Sequence, residues 1–105
     1  MNLKNKKFIF IVNPKSGKLS KKKKIKIISD CFPSKPDIVF TKDCQETSIL
    51  SAEAFKKDQI VVACGGDGTV NLVANQAIKH NGIMSILPLG RGNDFAKFIG
   101  INSIN

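Results

Sequence analysis

Three glycines fall within four positions in Cys64-Gly65-Gly66-Asp67-Gly68-Thr69, between an apolar β-branched run and a stretch with helical periodicity. Such a loop turns sharply and exposes backbone N–H groups, and the amino terminus of the following helix adds orphan donors and the positive end of its dipole. The pattern predicts a phosphate cradle made by Gly65, Gly66, Gly68 and Thr69. Asp67 would repel a bare anion; it fits if it holds a cation, or a water on that cation. The competing reading is a tight strand-to-helix turn with Asp67 as the helix N-cap.

Two more loops carry polar groups beside glycine. Asn13-Pro14-Lys15-Ser16-Gly17-Lys18 follows the first apolar run; it lacks the G-x-x-x-x-G-K-[ST] pattern of a P-loop, and its plainer reading is an Asn-Pro turn. Pro88-Leu89-Gly90-Arg91-Gly92-Asn93-Asp94-Phe95 brings two glycines, a cation and a carboxylate, a G-x-G signal that is weak alone. In a parallel sheet all loops leaving the carboxyl ends of strands open on one edge, where ligands bind. Three glycine-bearing loops on one edge argue together for a site.

The elements that must hold these loops are legible as well. Phe8–Val12, Ile38–Phe40, Ile60–Cys64 and Ile83–Leu87 are continuous apolar runs bounded by turn residues, as expected of strands buried on both faces. Between them, Thr69–His80 places Val70, Val73, Ala74, Ala77 and Ile78 on one helical stripe, closed by His80 and Asn81-Gly82. A helix is predicted over about Leu19–Phe32, with Ile25, Ile28 and Phe32 on one side, and another over about Gln45–Lys57, with Ile49, Ala52 and Phe55. A short last helix is predicted from Asn93 or Asp94 through Phe98, stopped by Gly100, with Ile101–Asn105 beginning no further element. The order βαβαβαβα implies an α/β fold: a three-layer α/β/α sandwich around a mostly parallel sheet.

At 105 residues the chain is one domain. Its net charge of +9 lies in the first quarter: residues 1–26 hold ten Lys and no acid, whereas the rest is nearly balanced. That permits an anionic partner without specifying one. Lys21–Lys24 reads as a solvated face, with attraction to anionic lipid as the functional alternative, and the Lys-rich segment lacks the interleaved aromatics of a nucleic-acid binder, so no nucleic-acid partner is expected. Cys31, Cys44 and Cys64 form no C-x-x-C pair; they are read as buried hydrophobes in a reducing compartment. His80 stands alone at a helix end, where a dipole contact accounts for it. The five-residue run after the basic start is too short for a signal peptide, and no segment approaches a membrane span.

Asn13-Pro14-Lys15-Ser16-Gly17-Lys18, Gly65-Gly66-Asp67-Gly68-Thr69 with Asn71, and Pro88-Leu89-Gly90-Arg91-Gly92-Asn93-Asp94-Phe95-Ala96, in this order, resemble the N-terminal catalytic domain of the diacylglycerol kinase family, above all its soluble bacterial lipid kinases. The glycine-rich GGDGT is shared with NAD kinases, and the last motif points to the lipid kinase branch. The resemblance implies an ATP-binding half of a kinase that moves the γ-phosphoryl of ATP, with Mg²⁺, to a lipid hydroxyl such as that of diacylglycerol. It implies nucleotide contacts by Asn13, Pro14, Lys15, Ser16, Gly17 and Thr41, a wrap of Gly66 to Thr69 around the phosphates, and roles for Asp67 and Asp94 in a magnesium and water network; Gly65, Asn71, Gly90, Arg91 and Asn93 are further cofactor-binding candidates. The family usually has Glu where Leu72 stands and Thr or Ser where Arg91 stands. It also implies a β-rich second domain, absent from this chain, that supplies the lipid pocket and the base, so residues 1–105 alone are expected to transfer no phosphate and to self-associate. A cytoplasmic protein that touches the membrane peripherally is the matching location. A non-catalytic nucleotide-binding module acting through a partner chain, and an NAD kinase-like domain, are the alternatives the sequence leaves open.

Overall fold

The computed structural model describes residues 6–15, 19–32, 35–89 and 99–102. Strand β1 (Phe8–Val12) leads through helix α1 (Lys21–Cys31) to β2 (Asp37–Phe40), then α2 (Cys44–Lys56), β3 (Ile60–Cys64), α3 (Asp67–His80), β4 (Ile83–Leu87) and β5 (Ile99–Asn102). The sheet order is β2-β1-β3-β4-β5, with the first four strands parallel and β5 antiparallel to β4.

Alternation along the strands divides the core into two halves. Ile9, Ile11, Val61, Ala63 and Met84 pack with Ala54 and Phe55 of α2 and Val73 and Ala77 of α3. Phe10, Val12, Val62, Cys64 and Leu87 pack with Ile28 of α1 and with Leu89. Both faces of the sheet are therefore covered, which explains why its strands read as unbroken apolar runs. The expected three-layer α/β architecture is the one found.

Four elements differ from the sequence reading; in α3, Ile78, placed on the apolar stripe, is 66% exposed. In α1 the buried residues are Lys24 and Ile28, while Ile25 is 40% exposed. The helix is turned because the Lys24 stem packs inward and its ammonium finds two backbone carbonyls, so only Lys21, Lys22 and Lys23 of that run are exposed. In α2 the inward face is Thr47, Ser51, Ala54 and Phe55, and Ile49 is half exposed. The two hydroxyls bury without loss because Ser51 Oγ donates to the Thr47 carbonyl at 2.7 Å and Thr47 Oγ1 to the Asp43 carbonyl at 3.2 Å. At the end of the chain Ile99–Asn102 is a strand: Gly100, read as a helix stop, pairs with Ser85. An antiparallel neighbour needs no crossover helix, so the helical expectation did not bear on it. The helix expected over residues 93–98 lies outside the described residues.

The turn from α3 into β4 is set by packing. Asn81 caps α3 in the left-handed conformation (φ 52°, ψ 42°), and a Cβ on Gly82 would lie 2.7 Å from Phe55 Cε1. Gly82→Ala should therefore destabilise the fold by about 1–3 kcal/mol through overpacking, lowering the Tm seen by circular dichroism by several degrees; an unchanged Tm would mean that the Phe55 ring yields freely.

Candidate functional site

The chain changes direction between β1 and β3. From β1 it leaves toward α1 on one face of the sheet, and from β3 toward α3 on the other, so a crevice opens between the two carboxyl ends. Backbone bonds hold this edge together just past the strands: Asn13 N–H donates to the Cys64 carbonyl at 3.3 Å and Thr41 N–H to the Val12 carbonyl at 3.0 Å.

A cleft of about 290 Å³ lies at this edge. Asn13 and Lys15 line it from β1, Thr41, Lys42, Asp43, Cys44 and Thr47 from the entry to α2, and Gly68, Thr69 and Leu72 from α3. A second cavity of about 280 Å³ lies at the opposite, amino-terminal edge, among Lys6, Lys7, Phe8, Phe32 and Lys35. Size does not separate the two. Position does, because the first sits where strand ends and helix amino termini converge.

Those termini are not alike. Ser20 Oγ caps α1 by accepting from Lys23 N–H at 3.1 Å. Asp43 Oδ1 caps α2 by accepting from Glu46 N–H at 2.8 Å, and Glu46 Oε1 returns to Lys42 N–H at 3.0 Å, a reciprocal arrangement that closes that end. Helix α3 begins at Gly66 with no side-chain cap at all. Asp67 is its first residue and not its N-cap, which removes the competing account of that aspartate.

Each glycine of the loop behaves differently. Gly65 has φ 155°, a conformation that side chains rarely adopt, so the turn itself requires it. At Gly66 and Gly68 a Cβ would meet nothing within 4 Å. The fold does not need glycine at either position; a ligand approaching the amides of α3 would. Lys15 and Lys42 line the cleft beside this loop.

Thr41 is 3% exposed, and its Oγ1 lies 2.7 Å from Thr47 Oγ1. Because Thr47 spends its single proton on the Asp43 carbonyl, Thr41 donates to Thr47 and keeps only lone pairs for a ligand. It suits an N–H or O–H of a bound molecule and not a phosphate oxygen.

Of the residues singled out in the sequence, the cleft gathers Asn13, Lys15, Thr41, Gly68 and Thr69. Pro14, Gly66, Asp67 and Asn71 are exposed beside it and Gly65 is buried in the turn beneath. Ser16, Gly17, Gly90, Arg91, Asn93 and Asp94 lie outside the described residues. Lys42, Asp43, Cys44 and Thr47 escaped sequence reasoning, although Asp43-x-x-Glu46 after a strand signals a helix start at this edge. Leu72 lines the cleft, so the departure from Glu noted above bears on the site itself. Cys31 and Cys44 are exposed, contrary to expectation; Cys64 is buried, and desolvation pushes its thiol far above the ordinary range, which makes it inert. Among the described residues no group of three or more acidic, His or Cys side chains could hold a metal, and no helix is long and apolar enough to cross a membrane.

A family model of the diacylglycerol kinase catalytic domain matches residues 7–105. The Diacylglycerol kinase of Bacillus subtilis is 33% identical over 57 residues, covering 52% of this chain and 19% of that protein. The Klebsiella pneumoniae protein named "Probable lipid kinase YegS-like" is 49% identical over 45 residues, covering 41% of this chain and 15% of its own length. A crystal structure of a diacylglycerol kinase from Bacillus anthracis superposes with a TM-score of 0.70 at 28% identity, over 90% of this chain and 36% of that one. The chain thus spans about a fifth or less of these curated relatives.

Gly68→Ala separates the two uses of the α3 terminus. Alanine should leave the Tm unchanged or raise it, since Gly costs a helix about 1 kcal/mol relative to Ala, while the methyl group obstructs the cradle and weakens binding of inorganic triphosphate in a calorimetric titration. Loss of stability with unaltered binding would reverse the assignment.

Proposed function

Because the chain belongs to the diacylglycerol kinase catalytic domain family, we propose that it is the nucleotide-binding half of a lipid kinase and that the cleft between β1 and β3 receives ATP with Mg²⁺. One observation supports this most: α3 alone among the three described helices lacks a side-chain cap, at the point where Gly66 and Gly68 leave its amides open.

In this reading the amides of Gly66 to Thr69 hold the phosphates, and Lys15 and Lys42 offset their charge. Thr41, with only lone pairs to offer, accepts from the base or the sugar. Asp67 at the start of α3 would help hold Mg²⁺, and Asn71, Gly90, Arg91, Asn93 and Asp94 would complete the set. Mg²⁺ would supply neutralisation of the phosphate charge that develops during transfer. The γ-phosphoryl group then passes to a lipid hydroxyl such as that of diacylglycerol, with positioning and fixed dipoles as the chain's own contribution. The acyl pocket and the base that takes the hydroxyl proton belong to a β-rich segment outside residues 1–105, in a cytoplasmic enzyme that meets the membrane at its surface.

Titration with ATP and Mg²⁺ should shift the amide resonances of Gly65 to Thr69; shifts confined to Lys21–Lys26 would indicate charge binding alone and reject the cleft. In a longer protein carrying the second segment, Asp67→Asn should lower phosphate transfer by about 10–100-fold, as losing an indirect metal support does, with little change in Tm. Assayed on diacylglycerol in mixed micelles beside that longer protein, residues 1–105 should transfer nothing. Lipid phosphorylation by the short chain would place the base within it and end the two-segment account.

A further inference from the structure

Lys24 has no part in the chemistry described so far. Its side chain is fully buried, whereas Lys21, Lys22 and Lys23 beside it are exposed. Its Nζ donates to the Asn13 carbonyl at 3.1 Å and to the Pro14 carbonyl at 3.2 Å. Among the described residues the ion pairs are Lys6–Asp58 and Lys26–Asp30, and neither involves it.

A buried ammonium with no carboxylate beside it among the described residues is costly, and desolvation accordingly holds the Lys24 pKa below its ordinary value. Helix α1 gains nothing from it, because a cation near a helix amino terminus opposes the dipole. An apolar side chain one turn before the buried Ile28 would pack there without that cost. The return must come from the turn it holds.

That turn has a definite geometry. In a trans peptide the carbonyl and the following N–H point in opposite directions. Drawing the Pro14 carbonyl toward Lys24 therefore turns Lys15 N–H the other way, where it donates to Asn13 Oδ1 at 2.9 Å. Asn13 N–H is meanwhile tied to the Cys64 carbonyl. That bond holds the side-chain amide in one orientation, with one Oδ1 lone pair and both Nδ2 hydrogens still free for the cleft that Asn13 lines.

We propose that Lys24 is a positioning residue: by clamping the Asn13 and Pro14 carbonyls it fixes the Asn13 side-chain amide so that its NH₂ group serves as a donor to a nucleoside triphosphate in the cleft. The inference rests on the nucleotide reading of that cleft. It assigns a role to one lysine of a run that otherwise reads as solvated charge.

The test compares Lys24→Met, Lys24→Gln and Lys22→Met in the chain, the last removing the same charge from an exposed position. In the free state Lys24→Met should shift the Asn13 side-chain NH₂ pair and the Lys15 amide and leave the resonances of β3 and α3 in place. Affinity for ATP with Mg²⁺ should fall by about tenfold or more, the effect of removing a group that orients a ligand contact. Lys22→Met should change it by less than about twofold, as expected of a screened charge. If the unaltered chain binds ATP and Lys24→Met binds it equally well, the positioning role is wrong and the nucleotide reading stands. If the unaltered chain binds no ATP, the nucleotide reading fails and this inference fails with it. Loss of the native amide spectrum in both Lys24 variants would make the residue a folding requirement and overturn a role confined to the cleft.

Discussion

The parallel pairing of β1 with β3 is the constraint from which the rest of the site follows. These strands are not consecutive, yet Val12 lies opposite Cys64, and the ladder continues through the Asn13 N–H to the Cys64 carbonyl. The register admits no slip. Moving β1 by one residue would exchange Phe10 and Val12 for Ile9 and Ile11 between the α1 side and the α2–α3 side, and both halves of the core would be misfilled. Core packing thereby fixes how near the Asn13 turn stands to the glycine loop. The two connections then part to opposite faces, and the crevice between them needs no further device.

The starts of the three described helices differ in how their first N–H groups are met. Side-chain caps are worth about 0.5–2 kcal/mol, and α1 and α2 both have one. Helix α3 forgoes the cap and carries Gly68 within its first turn, at about 1 kcal/mol relative to Ala. A glycine N-cap costs only a few tenths of a kcal/mol, so its amino end gives up on the order of 1 kcal/mol in a domain whose whole stability is about 5–15 kcal/mol. Burial of Val73 and Ala77, with Val70 and Ala74 packed beside them, keeps the helix in place. Packing secures its middle, so that its start can remain open.

How much of this was legible depended on which residues carried the signal. The four parallel strands and the extent of α3 were legible because two-sided burial and an apolar stripe leave clear patterns, although Ile78, placed on that stripe, is exposed, and the glycine loop was found because its residue types serve little else. The inward faces of α1 and α2 were misread because Lys24, Thr47 and Ser51 are polar in type and buried in fact. Each is satisfied by a backbone carbonyl that only the folded chain brings near, in the case of Lys24 from another element altogether. Strand β5 was missed because four residues interrupted by Gly100 carry no periodicity, and its pairing with β4 is a matter of tertiary contact. Within the candidate site, Asn13, Lys15, Thr41, Gly68 and Thr69 were foreseen, whereas the α2 side of the cleft was not, since its residues are ordinary capping residues until the strand order places them opposite Gly68.

The basicity of the first quarter also changes meaning once folded. As a sequence it looks like one cationic stretch; in the fold it is divided between the two edges of the sheet. Lys6 and Lys7 precede β1 and line the cavity at its amino edge, while Lys15 and Lys24 serve the carboxyl edge. Five residues of strand separate the two groups by about 16 Å, roughly twice the screening length of about 8 Å in physiological salt, so they do not act as one field. Of the remaining lysines in the stretch, Lys26 is paired with Asp30 and Lys21 lies over the Phe40 ring at 4.7 Å. Among the described residues, Lys15 and Lys42 are the cations that line the cleft. Lys15 is anchored through its backbone to Asn13, and Lys24 is buried behind the same turn, which concentrates positive charge where the open end of α3 already favours an anion.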